Sequence, residues 1–284
     1  MQMGKLIDGL GVAKKINVNT AKRVMKLKKK GIFPKLAVVL VGDNPASLVY
    51  IRQKEKVARL VGVDFVLHVY PANLTEEKLI QELKKIQTDA HLSGLIMQLP
   101  VPEKLYVPAV LNAIDIDVDV DFLSETAMGQ ILMGTNKMEP PTPGSILTIM
   151  RSLKIKLTGK DITIVGMGTL VGKPLSMLLE HEGASITTCN HQTKNIPDKC
   201  RQADVVVSCV GKKDLIRGNM IKKGAVVIDA GFSFYKGKSY GDVNLQEVQT
   251  VASHVTPTPG GVGPITVALL LQNTVSCAEQ KLDK

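Results

Sequence analysis

Apolar and polar positions alternate between two patterns along the chain, short apolar runs of strand length and longer stretches with helical spacing. In the first half these patterns predict a helix at 12–29, a strand at 36–41, a helix at 46–61, a strand at 65–70, a helix at 76–88 and a strand at 94–99. Thr75 is the expected N-cap of the third helix, since Glu76 and Glu77 follow it in the first turn.

The segment 135–145 interrupts this rhythm with proline and polar residues, and it is interpreted as the crossover to a second domain. Beyond it the pattern predicts a strand at 162–165, a helix at 173–182, strands at 184–188, 205–210 and 225–228, and a helix at 265–281. Strands that alternate with helices in this way are typical of parallel βαβ units.

The expected fold class is therefore α/β with two domains and a cleft between them. An N-terminal α/β catalytic domain is expected over 1–139, and a C-terminal Rossmann-type parallel-sheet domain over 140–264. The last helical stretch, 265–284, is expected to pack back on the first domain. A length of 284 residues and an apolar content of 44% are sufficient for two such cores.

Cysteine usage and the absence of long apolar runs favour a cytoplasmic enzyme that neither spans nor contacts a membrane. The four cysteines show no C-x-x-C spacing, so neither a disulfide framework nor a zinc site is expected, and no metal is assigned. The apolar runs are of strand length, and the first residues lack a signal-peptide pattern.

The net charge of +10 comes in part from six cationic residues between Lys22 and Lys30. One interpretation is attraction of an anionic partner, and the other, which we favour, is a solvated helix end whose lysines complement the helix dipole. Aromatic residues make up only 4% of the chain and tryptophan is missing, so platforms for stacking single-stranded nucleic acid are scarce. A nucleic-acid partner is not expected.

The strand that ends at Gly166 is followed by Gly168 and Gly172 and then by a helical pattern. Glycines at such a junction allow a tight turn and a close approach to a pyrophosphate, which the helix N-terminus stabilises. The alternative is an ordinary strand-to-helix turn. The next strand ends without the carboxylate that NAD-specific sites often place against the ribose, since Asn190, His191 and Lys194 stand there, so NADP is favoured and NAD remains possible.

Tyr50 and Lys54 stand four residues apart and share one face of the predicted helix. A partly buried lysine can act as a general acid or base, and a phenol ring can stack on a flat substrate. The alternative is a surface pair. Short-chain dehydrogenases also use Y-x-x-x-K, but there the motif follows the glycine turn, whereas here it precedes that turn by more than a hundred residues.

The order of motifs resembles the bifunctional methylenetetrahydrofolate dehydrogenase/cyclohydrolase family over nearly the whole chain. Besides Ser47, Tyr50 and Lys54, the matching segments are Asp8-Gly9, Val41-Gly42-Asp43, Gln98-Leu99-Pro100, Asp119-Val120-Asp121, Pro143-Gly144, Val171-Gly172-Lys173-Pro174, Val210-Gly211, Val227-Ile228-Asp229 and 259–266. Several matches in one order are far more specific than any one alone.

The resemblance implies a catalytic set of Lys54 as general acid/base, Gln98 orienting its amine, Tyr50 stacking on the folate, and Asp121 accepting hydrogen bonds from the pterin. Taken alone, Asp121 is one of four alternating aspartates that form either a loop or a cation site. The implied substrate contacts are Ser47, Tyr50, Gln98, Leu99, Pro100, Asp121, Pro264, Ile265 and Thr266. The implied cofactor contacts are Thr142, Gly166, Met167, Gly168, Thr169, Val171, Gly172, His191, Thr193, Val210, Gly211 and Gly231.

Four positions depart from the family pattern. Met167 stands where the family has arginine, Phe122 where it has glycine, Gln130 where it has arginine, and Pro141 where it has cysteine. The change at 167 removes a guanidinium from the neighbourhood of a 2′-phosphate, which His191 or Lys194 would have to replace. The others affect the shape of the cleft and the balance of the two activities.

Three hypotheses follow. The leading one is a homodimeric enzyme of one-carbon metabolism, serving purine biosynthesis, that oxidises 5,10-methylenetetrahydrofolate with NADP and hydrolyses the methenyl product to 10-formyltetrahydrofolate. The second retains only the dehydrogenase. The third, from another class, is a basic regulator that binds nucleotides or nucleic acid, and it leaves Tyr50, Lys54 and Gln98 unexplained.

Overall fold

The computed structural model describes residues 3–235 and 238–282. The strands are β1 Lys5–Leu6, β2 Lys35–Val41, β3 Asp64–Tyr70, β4 Leu92–Met97, β5 Asp161–Val165, β6 Ser185–Cys189, β7 Val205–Ser208, β8 Val226–Asp229, β9 Ser233–Tyr235, β10 Lys238–Tyr240 and β11 His254–Val255. The helices are α1 Gly9–Lys29, α2 Pro45–Val61, α3 Glu76–Ile86, α4 Pro108–Leu111, α5 Glu125–Leu132, α6 Pro141–Ser152, α7 Gly172–His181, α8 Ile196–Gln202, α9 Leu245–Gln249 and α10 Val262–Gln280.

The chain divides into two compact units, which we call the three-stranded unit and the six-stranded unit. The three-stranded unit comprises Lys14–Pro141 and Val267–Lys284, and the six-stranded unit comprises the residues up to Ala13 and Thr142–Thr266. This division differs at its start from the expected N-terminal domain of 1–139. The first residues instead join the six-stranded unit, because β1 pairs in parallel with β11.

The three-stranded unit has a parallel sheet in the order β3-β2-β4. Its central strand, β2, is buried along nearly its whole length, which explains why that segment is a continuous apolar run. The outer strand, β3, alternates between exposed and half-buried positions, as expected at a sheet edge. Leu270, Leu271 and Val275 of α10 belong to the same buried cluster as β2, so the last helix completes this core.

The six-stranded unit has a parallel sheet in the order β1-β11-β8-β7-β5-β6. The order reverses around β5, so the chain leaves β5 on one side and returns on the other, as in doubly wound dinucleotide folds. A separate hairpin of β9 and β10 projects between β8 and α9. The predicted α/β class with a Rossmann-type parallel sheet is confirmed.

The predicted elements match in type and differ at their ends. Thr75 caps α3 as expected, accepting a 3.3 Å hydrogen bond from the Lys78 amide. The segment 135–145, read as a loop-like crossover, instead turns into α6 at Pro141, because proline fits the first turn of a helix without losing a hydrogen bond. Among the residues that the structure describes, no helix combines the length and apolar run needed to cross a membrane.

Candidate functional site

The predicted catalytic residues of the three-stranded unit lie at the carboxyl end of its sheet. Helix α2 follows β2 and carries Tyr50 and Lys54 one turn apart on one face. Ser47 in its first turn is 1% exposed, and its amide donates to the side chain of Asn44 at 3.2 Å. Gln98 and Leu99 follow β4 directly, so two neighbouring parallel strands deliver these side chains to one edge.

The amine of Lys54 donates a 2.8 Å hydrogen bond to Oε1 of Gln98. Gln98 is 7% exposed, its backbone amide donates to the carbonyl of Val39 at 2.8 Å, and its side-chain Nε2 donates to the carbonyl of Leu99 at 2.8 Å. The Ser47 hydroxyl donates to the same Leu99 carbonyl at 3.4 Å. Because Nε2 is engaged by that carbonyl, the amide presents its oxygen to the lysine, and the amine has a fixed orientation.

Burial and neighbouring charge tune the two ionisable groups of this site. Burial lowers the pKa of Lys54, and the negative charge of Asp121 partly opposes that shift. Burial raises the pKa of Asp121 to about 6, with Lys54 lowering it and Asp119 raising it. A lysine with a lowered pKa is a better proton acceptor near neutral pH, which suits general acid/base work. Burial raises the pKa of Tyr50, so its phenol stays neutral and offers a flat ring.

The segment that carries Asp121 is fixed by residues on both sides of it. Asp119 is 1% exposed, bridges in parallel to Leu95 of β4, and accepts hydrogen bonds from the amides of Leu123 and Ser124 at 2.9 and 2.8 Å. The amide of Asn273 in α10 donates to the carbonyl of Val120 at 3.2 Å. Asp119 therefore acts as a structural acceptor, and within 3–235 and 238–282 no group of three or more His, Cys, Asp or Glu side chains could hold a metal ion.

Phe122, directly after Asp121, has a left-handed backbone with φ of 58° and is 6% exposed. This region of backbone space favours glycine, the residue that the family places here. The chain keeps the geometry of a glycine and adds a buried ring beside the predicted pterin-binding carboxylate.

The glycine turn after β5 has the features of a dinucleotide-binding loop. Gly166 has φ of 106°, and a Cβ atom at Gly172 would lie 1.9 Å from the carbonyl oxygen of Gly166, so both positions require glycine for the turn itself. A Cβ atom at Gly168 would meet nothing within 4 Å. That open space lies over the loop that leads to the N-terminus of α7, where backbone amides and the helix dipole suit a pyrophosphate.

Two further groups of predicted contacts lie in the six-stranded unit. Thr142 and Thr266 come together, with their hydroxyl oxygens 3.5 Å apart, while Ile265 next to them is fully buried. At the end of β6, His191 and Lys194 are exposed, and Thr193 accepts a 2.9 Å hydrogen bond from the amide of Asn190.

Asp242, which no sequence motif indicates, supports the predicted cofactor loop at Val210. Its buried carboxylate accepts the amide of Val210 at 2.7 Å. Asp242 and Val210 are thirty-two residues apart, and no local spacing links them. Gly231 is the sequence feature that this arrangement explains, since a Cβ atom there would collide with the Asp242 carboxylate.

Comparison with known proteins gives a consistent result for both units. The family model for the tetrahydrofolate dehydrogenase/cyclohydrolase catalytic domain matches residues 7–121, and the model for the NAD(P)-binding domain of the same family matches residues 140–282. The bifunctional protein FolD of Halalkalibacterium halodurans is 39% identical over 275 residues, covering 97% of this chain and 99% of the relative.

Two solved structures are similar over the full length. The bifunctional methylenetetrahydrofolate dehydrogenase/cyclohydrolase of Campylobacter jejuni has a TM-score of 0.94 at 35% identity, covering 98% of this chain and 99% of the other. The dehydrogenase-cyclohydrolase of Trypanosoma brucei, solved with NADP and an inhibitor, has a TM-score of 0.96 at 32% identity and covers 100% of both chains.

Proposed function

The chain belongs to the tetrahydrofolate dehydrogenase/cyclohydrolase family, and we propose that it oxidises 5,10-methylenetetrahydrofolate with NADP and hydrolyses the methenyl product to 10-formyltetrahydrofolate. The observation that carries this proposal is the 2.8 Å hydrogen bond from Lys54 to Gln98, in the part of the chain matched by the catalytic-domain model. The alternative, that Tyr50 and Lys54 are a surface pair, does not explain why the amine contacts the buried side-chain amide of Gln98.

Substrate binding is assigned to the residues around this hydrogen bond. Asp121 accepts the paired donors of the pterin amidine, which match the two oxygens of a carboxylate. The neutral ring of Tyr50 stacks on the folate, a contact that needs the ring face and not the hydroxyl. Leu99 and Pro100, next to Gln98, form the adjoining wall, while Pro264, Ile265 and Thr266 remain proposed contacts of the other unit.

Hydrolysis of the methenyl cation uses Lys54 as the proton carrier. Water adds to the carbon between N5 and N10, and one of its protons passes to the neutral amine. The carbon–N5 bond then breaks, the hydroxyl proton of the adduct moves to N5, and the formyl group stays on N10. One proton is released overall. Gln98 orients the amine towards the carbon by accepting a hydrogen bond from one of its N–H groups.

The oxidation step needs orientation more than acid or base, because the nitrogen lone pair stabilises the carbon that loses the hydride. Bound NADP supplies the hydride acceptor. The turn at Gly166, Gly168 and Gly172 and the start of α7 would hold its pyrophosphate, and Thr142, Val210, Gly211 and Gly231 would contribute further contacts. The family has an arginine at the position of Met167, and His191 and Lys194 would take its place facing the 2′-phosphate.

We further propose a homodimer that forms through β3. This strand pairs with β2 on one side only, and Val66, Leu67 and Val69 are 37%, 38% and 61% exposed. An edge strand with exposed apolar side chains is suited to cover by a second copy. Light scattering of the wild type should give twice the mass of one chain. A Val69→Lys variant should give the mass of a single chain.

A cytoplasmic location and a role in purine biosynthesis are also proposals. The thiols of Cys189, Cys200, Cys209 and Cys277 are free, which suits a reducing compartment. A nucleic-acid partner is not proposed, because NADP and a folate with its glutamate tail account for the positive charge.

A direct assay tests the activity. The purified chain is mixed with 5,10-methylenetetrahydrofolate and either NADP or NAD, while reduced cofactor and methenyl intermediate are followed together. We expect reduced cofactor to form and the methenyl species to stay low. Accumulation of the methenyl species would show a dehydrogenase without effective hydrolysis, and failure to reduce either cofactor would refute the proposal.

A further inference from the structure

The loop after β7 is fixed by one buried carboxylate. This loop contains Val210 and Gly211, two of the proposed NADP contacts. Oδ2 of Asp242 accepts hydrogen bonds from the hydroxyl of Ser208 and the amide of Val210, both at 2.7 Å, and Oδ1 accepts the amide of Lys212, also at 2.7 Å. Asp242 is fully buried, and these three donors satisfy both of its oxygens.

A second buried carboxylate, Asp229, holds Asp242 in turn. Oδ1 of Asp229 accepts the amides of Gly231 and Asp242, and Oδ2 accepts the amide of Val243, each at 3.0 Å. Asp229 is 3% exposed. The two carboxylates thus join the loops that follow β7 and β8, at the base of the β9–β10 hairpin.

Two glycines make this arrangement reciprocal. A Cβ atom at Gly231, two residues after Asp229, would lie 2.0 Å from Cγ of Asp242. A Cβ atom at Gly241, next to Asp242, would lie 1.9 Å from Oδ2 of Asp229. Asp242 therefore lies against Gly231, which is near Asp229, and Asp229 lies against Gly241, which is next to Asp242. Neither glycine can be replaced without moving a buried carboxyl group.

We propose that Asp242 is a positioning residue for the dinucleotide: it holds the backbone of Val210 and Gly211 in the shape that binds NADP before NADP arrives. Burying a carboxylate is costly unless its oxygens are fully satisfied, and a simple surface turn does not need one. A loop that is already ordered loses less conformational entropy on binding, so the arrangement favours affinity. This inference rests on the proposed function of the six-stranded unit.

The test is the Asp242→Asn variant of the full chain, which keeps the shape of the side chain and turns one acceptor oxygen into a donor. That donor must face at least one of the three groups that now donate. We expect NADP affinity, measured by titration calorimetry, to fall about 10- to 100-fold, the loss expected for broken hydrogen bonds to a charged group. Hydrolysis of methenyltetrahydrofolate without NADP should keep its kcat and KM within about twofold, because Lys54, Gln98 and Asp121, which it is proposed to use, lie in the other unit.

The matched control is Asp204→Asn in the same unit. Asp204 precedes β7 at the strand's opposite end and pairs with Lys222 at 2.8 Å on the surface, so its loss should leave NADP affinity unchanged. If Asp242→Asn does not fold, Ser208→Ala removes one donor and should weaken NADP binding severalfold. Unchanged NADP affinity in a folded Asp242→Asn variant, or equal losses of NADP affinity and hydrolysis, would overturn the inference. Failure of the proposed function would instead appear in the wild-type chain, as missing activity.

Discussion

Lys54 and Gln98 come from different strand-to-helix units, and their side chains meet in a 2.8 Å hydrogen bond. The amine is held by an amide whose other end is itself held by the Leu99 carbonyl. A proton carrier with one fixed orientation can serve one carbon of a bound substrate, which a freely rotating lysine cannot do as well.

Replacing Gln98 by Leu should slow methenyl hydrolysis about 10- to 100-fold, since the Lys54 amine becomes charged as it takes the proton, and a hydrogen bond to a charged group contributes about 1.5–3 kcal/mol. The loss should appear in kcat, because the amine still reaches the site but is no longer aimed. Gln53→Leu, an exposed change next to Lys54 on α2, is the control and should leave kcat unchanged. Equal kcat values for the two variants would contradict the orienting role.

The ionisation of Asp121 should give the reaction a pH dependence. Its pKa is raised to about 6, so the carboxylate proposed to accept the pterin donors is lost as the pH falls through that value. KM for the folate should therefore rise below pH of about 6, and Asp121→Asn should show a high KM with no such rise. A variant with the wild-type dependence of KM on pH would exclude this assignment.

The same raised pKa of Asp121 affects stability in the opposite direction to substrate binding, because it favours the folded chain at low pH. A carboxyl group whose pKa is raised by folding stabilises the folded chain while it is protonated, and that contribution is lost as the pH rises through about 6. The free energy of unfolding of Asp121→Asn, taken relative to that of the wild type, should therefore be higher at pH 7 than at pH 5. Urea unfolding of both proteins at both pH values measures this difference.

Two glycines of the cofactor turn should respond differently to alanine. At Gly172 the new Cβ would meet the Gly166 carbonyl, so Gly172→Ala should cost about 3 kcal/mol of unfolding free energy. At Gly168 the Cβ meets no protein atom, so stability should change by less than about 0.5 kcal/mol. NADP affinity should nevertheless fall about tenfold in Gly168→Ala, because the backbone there is proposed to approach the pyrophosphate. Undiminished affinity would show that the turn is only structural.

Restoring the family's glycine at Phe122 should destabilise the chain. Left-handed backbone at a non-glycine residue costs about 1–3 kcal/mol, but removing a buried phenylalanine costs about 3–5 kcal/mol, so the lost ring outweighs the relieved backbone. Phe122→Ala removes the ring and keeps the strain, so it should be less stable than Phe122→Gly by about 1 kcal/mol. Denaturant midpoints of the three proteins give both differences, and the reverse order would refute the strain at this position.

Much of the fold could be predicted because buried parallel strands such as β2 and β7 are continuous apolar runs, and because Thr75 has the neighbours of a helix cap. Strand β1 could not be predicted, since it has two exposed residues and depends on β11, nearly 250 residues away. Helix α6 was missed because its prolines indicate a loop until their place in the first turn is known.

The candidate site was predictable where family motifs mark it and not where it depends on long-range hydrogen bonds. The sequence predicts Lys54, Gln98 and Asp121 as site residues by resemblance, and the turn at Gly166 by its glycines. It does not indicate roles for Asp242 or Asn273, because the groups that each contacts come from distant parts of the chain. Hydrogen bonds of that kind leave no spacing in the sequence.

The most direct test of the account is hydrolysis of methenyltetrahydrofolate by Lys54→Met, measured with NADP affinity on the same protein. Methionine keeps the length of the side chain and removes the proton carrier, so kcat should fall about 10²- to 10⁴-fold while the Kd for NADP stays within about twofold. Lys56→Met, exposed on the same helix, should match the wild type in both measurements. Hydrolysis by Lys54→Met at the wild-type rate would contradict the central claim.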